Sequence, residues 1–275
     1  MGVIPYLRLC RADAALIAFC SYLVGSELAG GTDLHDVIIA AAVTLISTNF
    51  IYSFNSWADW SIDRINKPGR PIPSGKIEPN HALIYSLVLL ILSVAYPFFV
   101  FKSGFTLLLF LLLPALGLVY SAEPFRIRRY PSPAIGIICL GLITPIMLGY
   151  FMNTSDTALI PFFVAIFLYC LSVVPLKEIE EVEEDKRSGY GNLYSRYGER
   201  LLIYSLCGLS LVLLVVLFFE IEYLLKLCML IFTVSSMGCI LVFARVRKKL
   251  DRLYQTIIHL VVIGGIIFYM ILKVI

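Results

Sequence analysis

After a long apolar stretch the chain reads Asn55-Ser-Trp-Ala-Asp59-Trp-Ser-Ile-Asp63, then passes Arg64, Asn66, Lys67 and Arg70 into Pro71-Ile-Pro73-Ser74-Gly75. Asn55, Asp59 and Asp63 stand at i, i+4 and i+8, so on a helix they form one polar stripe along a single face. Two carboxylates and an amide oxygen suit a hard divalent cation such as Mg²⁺. Lys67 and Arg70 follow at once in a proline-stiffened segment that cannot stay helical. Cation ligands beside basic side chains describe a diphosphate site, because the metal and the bases neutralise the same oxygens. The bland alternative is a helix end with solvated charges in a basic loop. Against it stands the cost of ionisable residues that reach back into an apolar span, where they generally serve function.

A second acidic run, Lys177-Glu178-Ile-Glu180-Glu181-Val-Glu183-Glu184-Asp185-Lys186-Arg187, begins where another apolar stretch ends. Glu178, Glu181 and Asp185 share a helical face at i, i+3 and i+7, while Glu180, Glu183 and Glu184 point elsewhere. Acidic runs are more often solvated faces than metal sites. This one starts at the end of a span, on the same side as the first stripe. Asp59 and Glu181 are 122 residues apart, as are Asp63 and Asp185. The basic loop Arg126, Arg128, Arg129 and the basic loop Arg245, Arg247, Lys248, Lys249 are offset by nearly the same amount. Such an offset predicts a parallel internal repeat of four helices, which preserves orientation and brings both acidic stripes to one central cavity.

Other chemistries find little support. His35, His81 and His259 share no ligand spacing, which argues against zinc and against a histidine-based transferase. The seven cysteines are scattered, mostly within apolar runs, without a C-x-x-C pair. The chain has no Walker-type glycine loop, so a nucleotide-driven pump is not expected.

The elements that must position these residues are membrane helices. Hydrophobic residues make up 60% of the 275 residues and charged residues only 15%, with a mean hydropathy of +0.89. Soluble domains use about 45–50% and about 25%. Apolar runs put spans near 13–30, 36–56, 80–101, 103–121, 132–152, 158–176, 201–219, 223–244 and 254–275, nine in all. With that count, all of the 22 Lys and Arg but Lys102, Lys226 and Lys273 fall at the N-terminus or in the loops after even-numbered spans. The positive-inside rule then predicts a multi-pass protein of the cell membrane with a cytoplasmic N-terminus and an external C-terminus. A single transmembrane domain over 1–275 is expected, with acidic motif loops at about 55–79 and 177–199 on the cytoplasmic side. The small net charge of +3 makes nucleic acid an unlikely partner.

Asn55-x-x-x-Asp59-x-x-x-Asp63 followed by Arg64-Ile-Asn66-Lys67-x-x-Arg70-Pro71-Ile-Pro73-Ser74-Gly75 resembles the first signature of the UbiA-type intramembrane prenyltransferases. That family's second element, an Asp-x-x-x-Asp in a Lys-Asp-x-x-Asp-x-x-Gly-Asp context, is similar to Lys177-Glu178-x-x-Glu181-x-x-Glu184-Asp185, with glutamates for two aspartates and Glu184 for the glycine. Leu193-Tyr-Ser-Arg196-Tyr-Gly198 resembles the stretch that follows it, and Tyr120-Ser121-Ala-Glu-Pro124-Phe-Arg126-Ile-Arg128 resembles a Tyr-Ser-x-x-Pro-x-basic segment of several branches.

The resemblance implies an all-helical transferase that moves a long prenyl group, such as geranylgeranyl, from its diphosphate onto a hydrophobic acceptor among the membrane lipids. It implies Mg²⁺, two ions, with Asn55, Asp59, Asp63, Glu181 and Asp185 as catalytic residues and Glu178 as a further metal ligand. Lys67, Arg70, Tyr120, Ser121, Arg126 and Lys177 become substrate-binding residues. Arg8 and Arg11 fall where family members hold a basic residue that meets an anionic acceptor, and the positive-inside rule accounts for them equally well. The expected acceptor is a glyceryl ether phosphate or a chlorophyll- or quinone-type compound. A secondary transporter and a non-catalytic binding protein are the alternatives. Charges gathered at one face rather than at mid-membrane disfavour the first, and the intact first signature disfavours the second.

Overall fold

A computed structural model describes residues 4–31, 33–100, 104–246 and 250–274. Lys102, expected in an external connection, and Arg247, Lys248 and Lys249 of the last basic loop lie outside the described residues. The helices run in order as α1 (Ile4–Leu9), α2 (Ala12–Leu28), α3 (Leu34–Ala58), α4 (Trp60–Asn66), α5 (Pro79–Val100), α6 (Gly104–Ser121), α7 (Pro131–Asn153), α8 (Ile160–Val173), α9 (Glu178–Ser188), α10 (Leu193–Tyr197), α11 (Arg200–Phe218), α12 (Tyr223–Val246) and α13 (Leu253–Val274). The described residues contain no strand.

Among the described residues, eight stretches are long and apolar enough to cross a bilayer. They lie in α3, α5, α6, α7, α11, α12 and α13 and in the stretch that begins with α8. Near the first expected span, 13–30, stands the shorter apolar segment Ala14–Leu28. Its rise of about 22 Å falls short of a hydrocarbon core of about 30 Å. Pro97, Pro114 and Pro145 sit inside α5, α6 and α7 without ending them, as membrane helices permit. Outward faces carry Phe98, Phe99, Leu214, Ile263 and Met270, all exposed, which water would penalise and lipid does not.

The chain forms two compact units, Met1–Arg128 with Thr144–Ser155, and Arg129–Ile143 with Asp156–Ile275. In the first, α3 is the central helix and packs against α2, α5 and α6. Ser86 Oγ donates to Ser53 Oγ at 3.0 Å and so ties α5 to α3 in the interior. The end of α7 crosses α2 at backbone contact. A Cβ on Gly25 would lie 2.0 Å from the Ile146 carbonyl oxygen, and one on Gly149 would lie 2.0 Å from that of Tyr22. Only hydrogen fits at these two positions, the small-residue solution by which membrane helices approach closely. Beside them Asn153 Nδ2 donates to Ser26 Oγ at 2.9 Å.

In the second unit α8 packs on α11 and α12, and α12 on α13. The Tyr169 and Ser236 hydroxyls bond at 2.6 Å across α8 and α12. At the end of α8 a 3₁₀ turn, Val174–Lys177, hands the chain directly to α9. Val174 is buried with Ile135, Cys139, Leu193 and Leu201, and this cluster seats both ends of the second acidic segment.

Candidate active site

In the first unit α3 stops at Ala58 and α4 starts at Trp60, yet the stripe keeps its register. The N–H groups of Asp59, Asp63 and Lys67 donate to the carbonyls of Asn55 at 2.9 Å, Asp59 at 2.8 Å and Asp63 at 2.8 Å. Asn55, Asp59 and Asp63 therefore stand on successive turns of one face, as their spacing predicts, and Lys67 caps the C-terminal end of α4. Beyond α4 the proline-rich loop leaves the helix and is pinned by Ile72 and Ile77, which are buried against Leu9 and Ala82 and flanked by Trp57 and Trp60.

Asp59 and Asp63 are each 1% exposed, a burial that a carboxylate tolerates only when paired. Their partners are arginines. Arg126 Nη2 donates to Asp59 Oδ1 at 3.1 Å and to the Ala58 carbonyl at 3.1 Å, and Arg128 forms an ion pair with Asp59 Oδ2. Arg70 Nη1 donates to Asp63 Oδ2 at 2.5 Å. The guanidiniums at the end of α3 also meet the negative end of that helix's dipole. Arg126 has φ +34°, a conformation that costs an L-residue about 1–2 kcal/mol. Its guanidinium bonds and its N–H donation to the Ala122 carbonyl at 2.7 Å hold it there.

The other expected residues of this unit lie close by in the chain's architecture. Asn55 Nδ2 donates to Ser121 Oγ at 3.2 Å, and Tyr120 and Ser121 form the last turn of α6. Arg11 lies over the Tyr52 ring, 5.3 Å from its centroid, one turn before Asn55 on α3. Arg128 was not among the expected site residues. Its sequence signals are its place in the basic loop and at the end of the Tyr-Ser-x-x-Pro-x-basic segment, two residues after Arg126.

In the second unit Glu178, Glu181 and Asp185 gather as their spacing predicts. One carboxylate oxygen from each lies within 4.8 Å of the others. In an octahedral Mg²⁺ shell with ligands at about 2.1 Å, neighbouring oxygens stand about 3.0 Å apart and opposite ones about 4.2 Å, so the three carboxylates would have to draw together to share one ion. Like charges at this separation repel, and Lys177, whose Nζ meets Glu181 Oε2 at 2.8 Å, offsets only part of that. Glu180 turns away and accepts from Gln255 Nε2 at 3.2 Å.

Sequence reasoning missed Asn192. Its Nδ2 donates to Asp185 Oδ2 at 2.8 Å and to the Glu178 carbonyl at 2.9 Å, while its Oδ1 caps α10 by accepting from Ser195 N–H at 2.9 Å. The adjoining Leu193 N–H donates to Glu178 Oε2 at 3.0 Å. One short turn thus holds both outer carboxylates of the cluster. Gly189, with φ +68°, makes the turn possible by ending α9 in the left-handed conformation. An asparagine ahead of a short helix is the signal that would have found this residue.

The UbiA prenyltransferase family model matches residues 15–259. This chain belongs to that family. Among its relatives is the digeranylgeranylglyceryl phosphate synthase of Methanosphaera stadtmanae, 32% identical over 200 residues, covering 71% of this chain and 70% of the relative. The synthase of the same name from Sulfolobus acidocaldarius is 32% identical, covering 73% and 72%. A probable homogentisate phytyltransferase 2 of Oryza sativa is 32% identical, covering 61% of this chain and 46% of its own length. Among solved structures, a UbiA homolog from Archaeoglobus fulgidus bound to GPP and Mg²⁺ superimposes with a TM-score of 0.70 at 19% identity, covering 96% of this chain and 99% of that one. The fold of the UbiA homologs is therefore the fold of this chain.

Proposed function

We propose that this UbiA-family protein is a Mg²⁺-dependent prenyltransferase that moves a geranylgeranyl-type chain from its diphosphate to a glyceryl ether phosphate in the membrane. The observation that carries this reading is the buried pair Asp59 and Asp63 with Arg70, Arg126 and Arg128 as counter-ions. Carboxylates and guanidiniums are gathered in near-equal number at a helix end, with an amide, Asn55, on the same face. The named activity of the archaeal relatives supports the acceptor class. An aromatic acceptor of the homogentisate kind is the second reading, favoured by the rice relative.

Asn55, Asp59 and Asp63 would hold one Mg²⁺, and Glu178, Glu181 and Asp185 a second. Bound there, the ions neutralise the charge that develops on the departing diphosphate. Lys67, Arg70, Arg126, Arg128 and Lys177 take the remaining phosphate oxygens, and Tyr120 and Ser121 flank Asn55. Arg11 would meet the acceptor's phosphate. The allylic C–O bond breaks with its electron pair going to the diphosphate. The acceptor hydroxyl oxygen then forms the new C–O bond and gives up its proton. The chain needs no nucleophile of its own. Both motif loops face the cytoplasm in this reading, where the water-soluble diphosphate head is supplied.

The test is product formation from labelled geranylgeranyl diphosphate and geranylgeranylglyceryl phosphate by detergent-purified protein, with and without Mg²⁺. Asp59→Asn, which keeps the shape and removes the charge, should reduce turnover by about 10²–10³-fold, the scale of losing one preorganised electrostatic contact. Turnover that ignores Mg²⁺, or that survives Asp59→Asn within a fewfold, would overturn the reading.

A further inference from the structure

Away from both acidic stripes, α8 and α11 enclose a cavity of about 180 Å³. Leu168, Leu171 and Pro175 line one side and Leu201, Tyr204 and Leu211 the other, with Ser172 and Gly208 also in its lining. Leu211 and Tyr204 are exposed, so the cavity is a groove that opens to the bilayer. Leu201 to Leu211 spans about 15 Å of helix, the depth of a length of lipid chain.

Two features are not those of a plain helix seam. Ser205 lines the groove and is 2% exposed, and its hydroxyl has no hydrogen-bond partner among the described residues. A buried hydroxyl left without a partner costs about 1–3 kcal/mol, and most helical serines avoid this by donating to the carbonyl four residues back, as Ser172 does to Leu168 at 2.7 Å. Arg200, exposed, is the first residue of α11 and stands four residues before Tyr204, so it continues the groove-lining stripe at the membrane surface. Next to it the Arg196 guanidinium lies 5.3 Å from the Tyr197 ring centroid, and Tyr197 packs edge-on against Tyr204 at 5.7 Å. Arg196 and Arg200 bring two cations to the mouth beside one carboxylate, Glu199, and of the two lining serines Ser172 is satisfied by Leu168 whereas Ser205 has no partner among the described residues.

The geometry points to a binding site for an anionic phosphoglycerolipid of the surrounding bilayer, with its phosphate on Arg200, a glycerol-linkage oxygen accepting from Ser205 and the start of one chain in the groove. Ser205 lies about 7.5 Å deeper than Arg200 along α11, which reproduces the order of a lipid from its charged head through its linkage oxygens to its chain. The complementarity is specific in sign, since a zwitterionic head brings its own cation to the same arginines. This site does not depend on the transferase reading and would exist in a non-catalytic relative.

The experiment is thermal unfolding and native mass spectrometry of the purified full chain in mixed micelles, with phosphatidylglycerol or phosphatidylcholine added. Wild type should retain one phosphatidylglycerol and be stabilised at an about fivefold lower concentration of it than of phosphatidylcholine, the value of one arginine at a charged surface. Arg200→Gln, a change at an exposed residue, should erase the difference. Ser205→Ala should act with opposite signs, raising the melting temperature of the delipidated protein while reducing the shift that phosphatidylglycerol produces. Equal stabilisation by the two lipids in wild type would overturn the proposal. So would a preference that survives Arg200→Gln, or a Ser205→Ala protein whose lipid response is unchanged.

Discussion

Replacing Asn192 by alanine isolates the support of the acidic cluster from the cluster itself. The change removes two donated bonds, to Asp185 Oδ2 at 2.8 Å and to the Glu178 carbonyl at 2.9 Å, and the cap on Ser195 N–H at 2.9 Å. The cap is worth about 1 kcal/mol to the fold. The bond to the Asp185 carboxylate, only 8% exposed, is charge-assisted and worth about 1.5–3 kcal/mol, and its loss loosens the orientation of that side chain. Loss of a hydrogen-bonding partner behind a metal ligand lowers metal affinity by about 10–100-fold. The midpoint of Mg²⁺ activation should therefore rise by that factor, and Mn²⁺ binding followed by electron paramagnetic resonance should weaken in step, while turnover at saturating metal falls far less. Asn192→Ser keeps an oxygen for the cap but is too short to reach both Asp185 and the Glu178 carbonyl, so it should restore stability and leave metal affinity low. A serine variant with wild-type metal response would reduce Asn192 to a helix cap. A wild-type protein that binds no Mn²⁺ would instead sink the metal reading of the cluster.

The α2–α7 crossing makes a separate prediction. Gly149→Ala places a Cβ against the Tyr22 carbonyl and should destabilise the protein by at least about 1–3 kcal/mol, read as a lower aggregation temperature, whereas Gly141→Ala on the same helix has nothing within 4 Å and should be neutral. Asp59→Ala should differ from Asp59→Asn in stability as well as in turnover. It takes the buried Asp59 charge away from Arg126 and Arg128, only 14% and 17% exposed, and leaves Arg126 only its pair with the exposed Glu123 at 3.3 Å, a loss that approaches the about 3–5 kcal/mol of a broken buried pair, visible as reduced recovery of folded protein. The proposed orientation predicts that a cysteine appended after Ile275 reacts with an impermeant maleimide in intact cells and that one added at the N-terminus does not. The reverse pattern would refute it.

The first stripe could be read from the sequence because a spacing of four is a geometric statement, and it held even where α3 gives way to α4 at Asp59. Its counter-ions were harder to see. Arg126 and Arg128 lie more than sixty residues away along the chain, and the turn after α6 that delivers them, with its left-handed Arg126, has no local pattern that names a target. The second stripe was equally legible as a helical face, but its closeness to a metal-binding geometry depends on Asn192 and Leu193 across a tight turn. Periodicity carries no information about such a contact. Spans were visible as apolar runs, and the shortest of them, at α2, fell below the length of a full crossing. Its partner across Gly25 and Gly149 is more than a hundred residues away, so the contact that seats it was not written in its own hydrophobicity.

The arginines that occupy the Asp59–Asp63 face give the site a logic beyond charge neutrality. Each buried carboxylate of this face has a cation and each of its arginines an anion, so under the proposed function a lone guest would have to displace a satisfied partner. A divalent cation alone would cost the guanidiniums their pairs with Asp59 and Asp63, leaving Arg126 only the exposed Glu123 at 3.3 Å, and a diphosphate alone would cost the carboxylates theirs. Only when both arrive does every displaced group find a new counter-charge. Binding of the two is then mutually reinforcing, and by linkage the factor by which the metal tightens the diphosphate equals the factor by which the diphosphate tightens the metal. Under the proposed function the resting ion pairs would act as a two-key lock that keeps a buried acidic face from collecting stray cations.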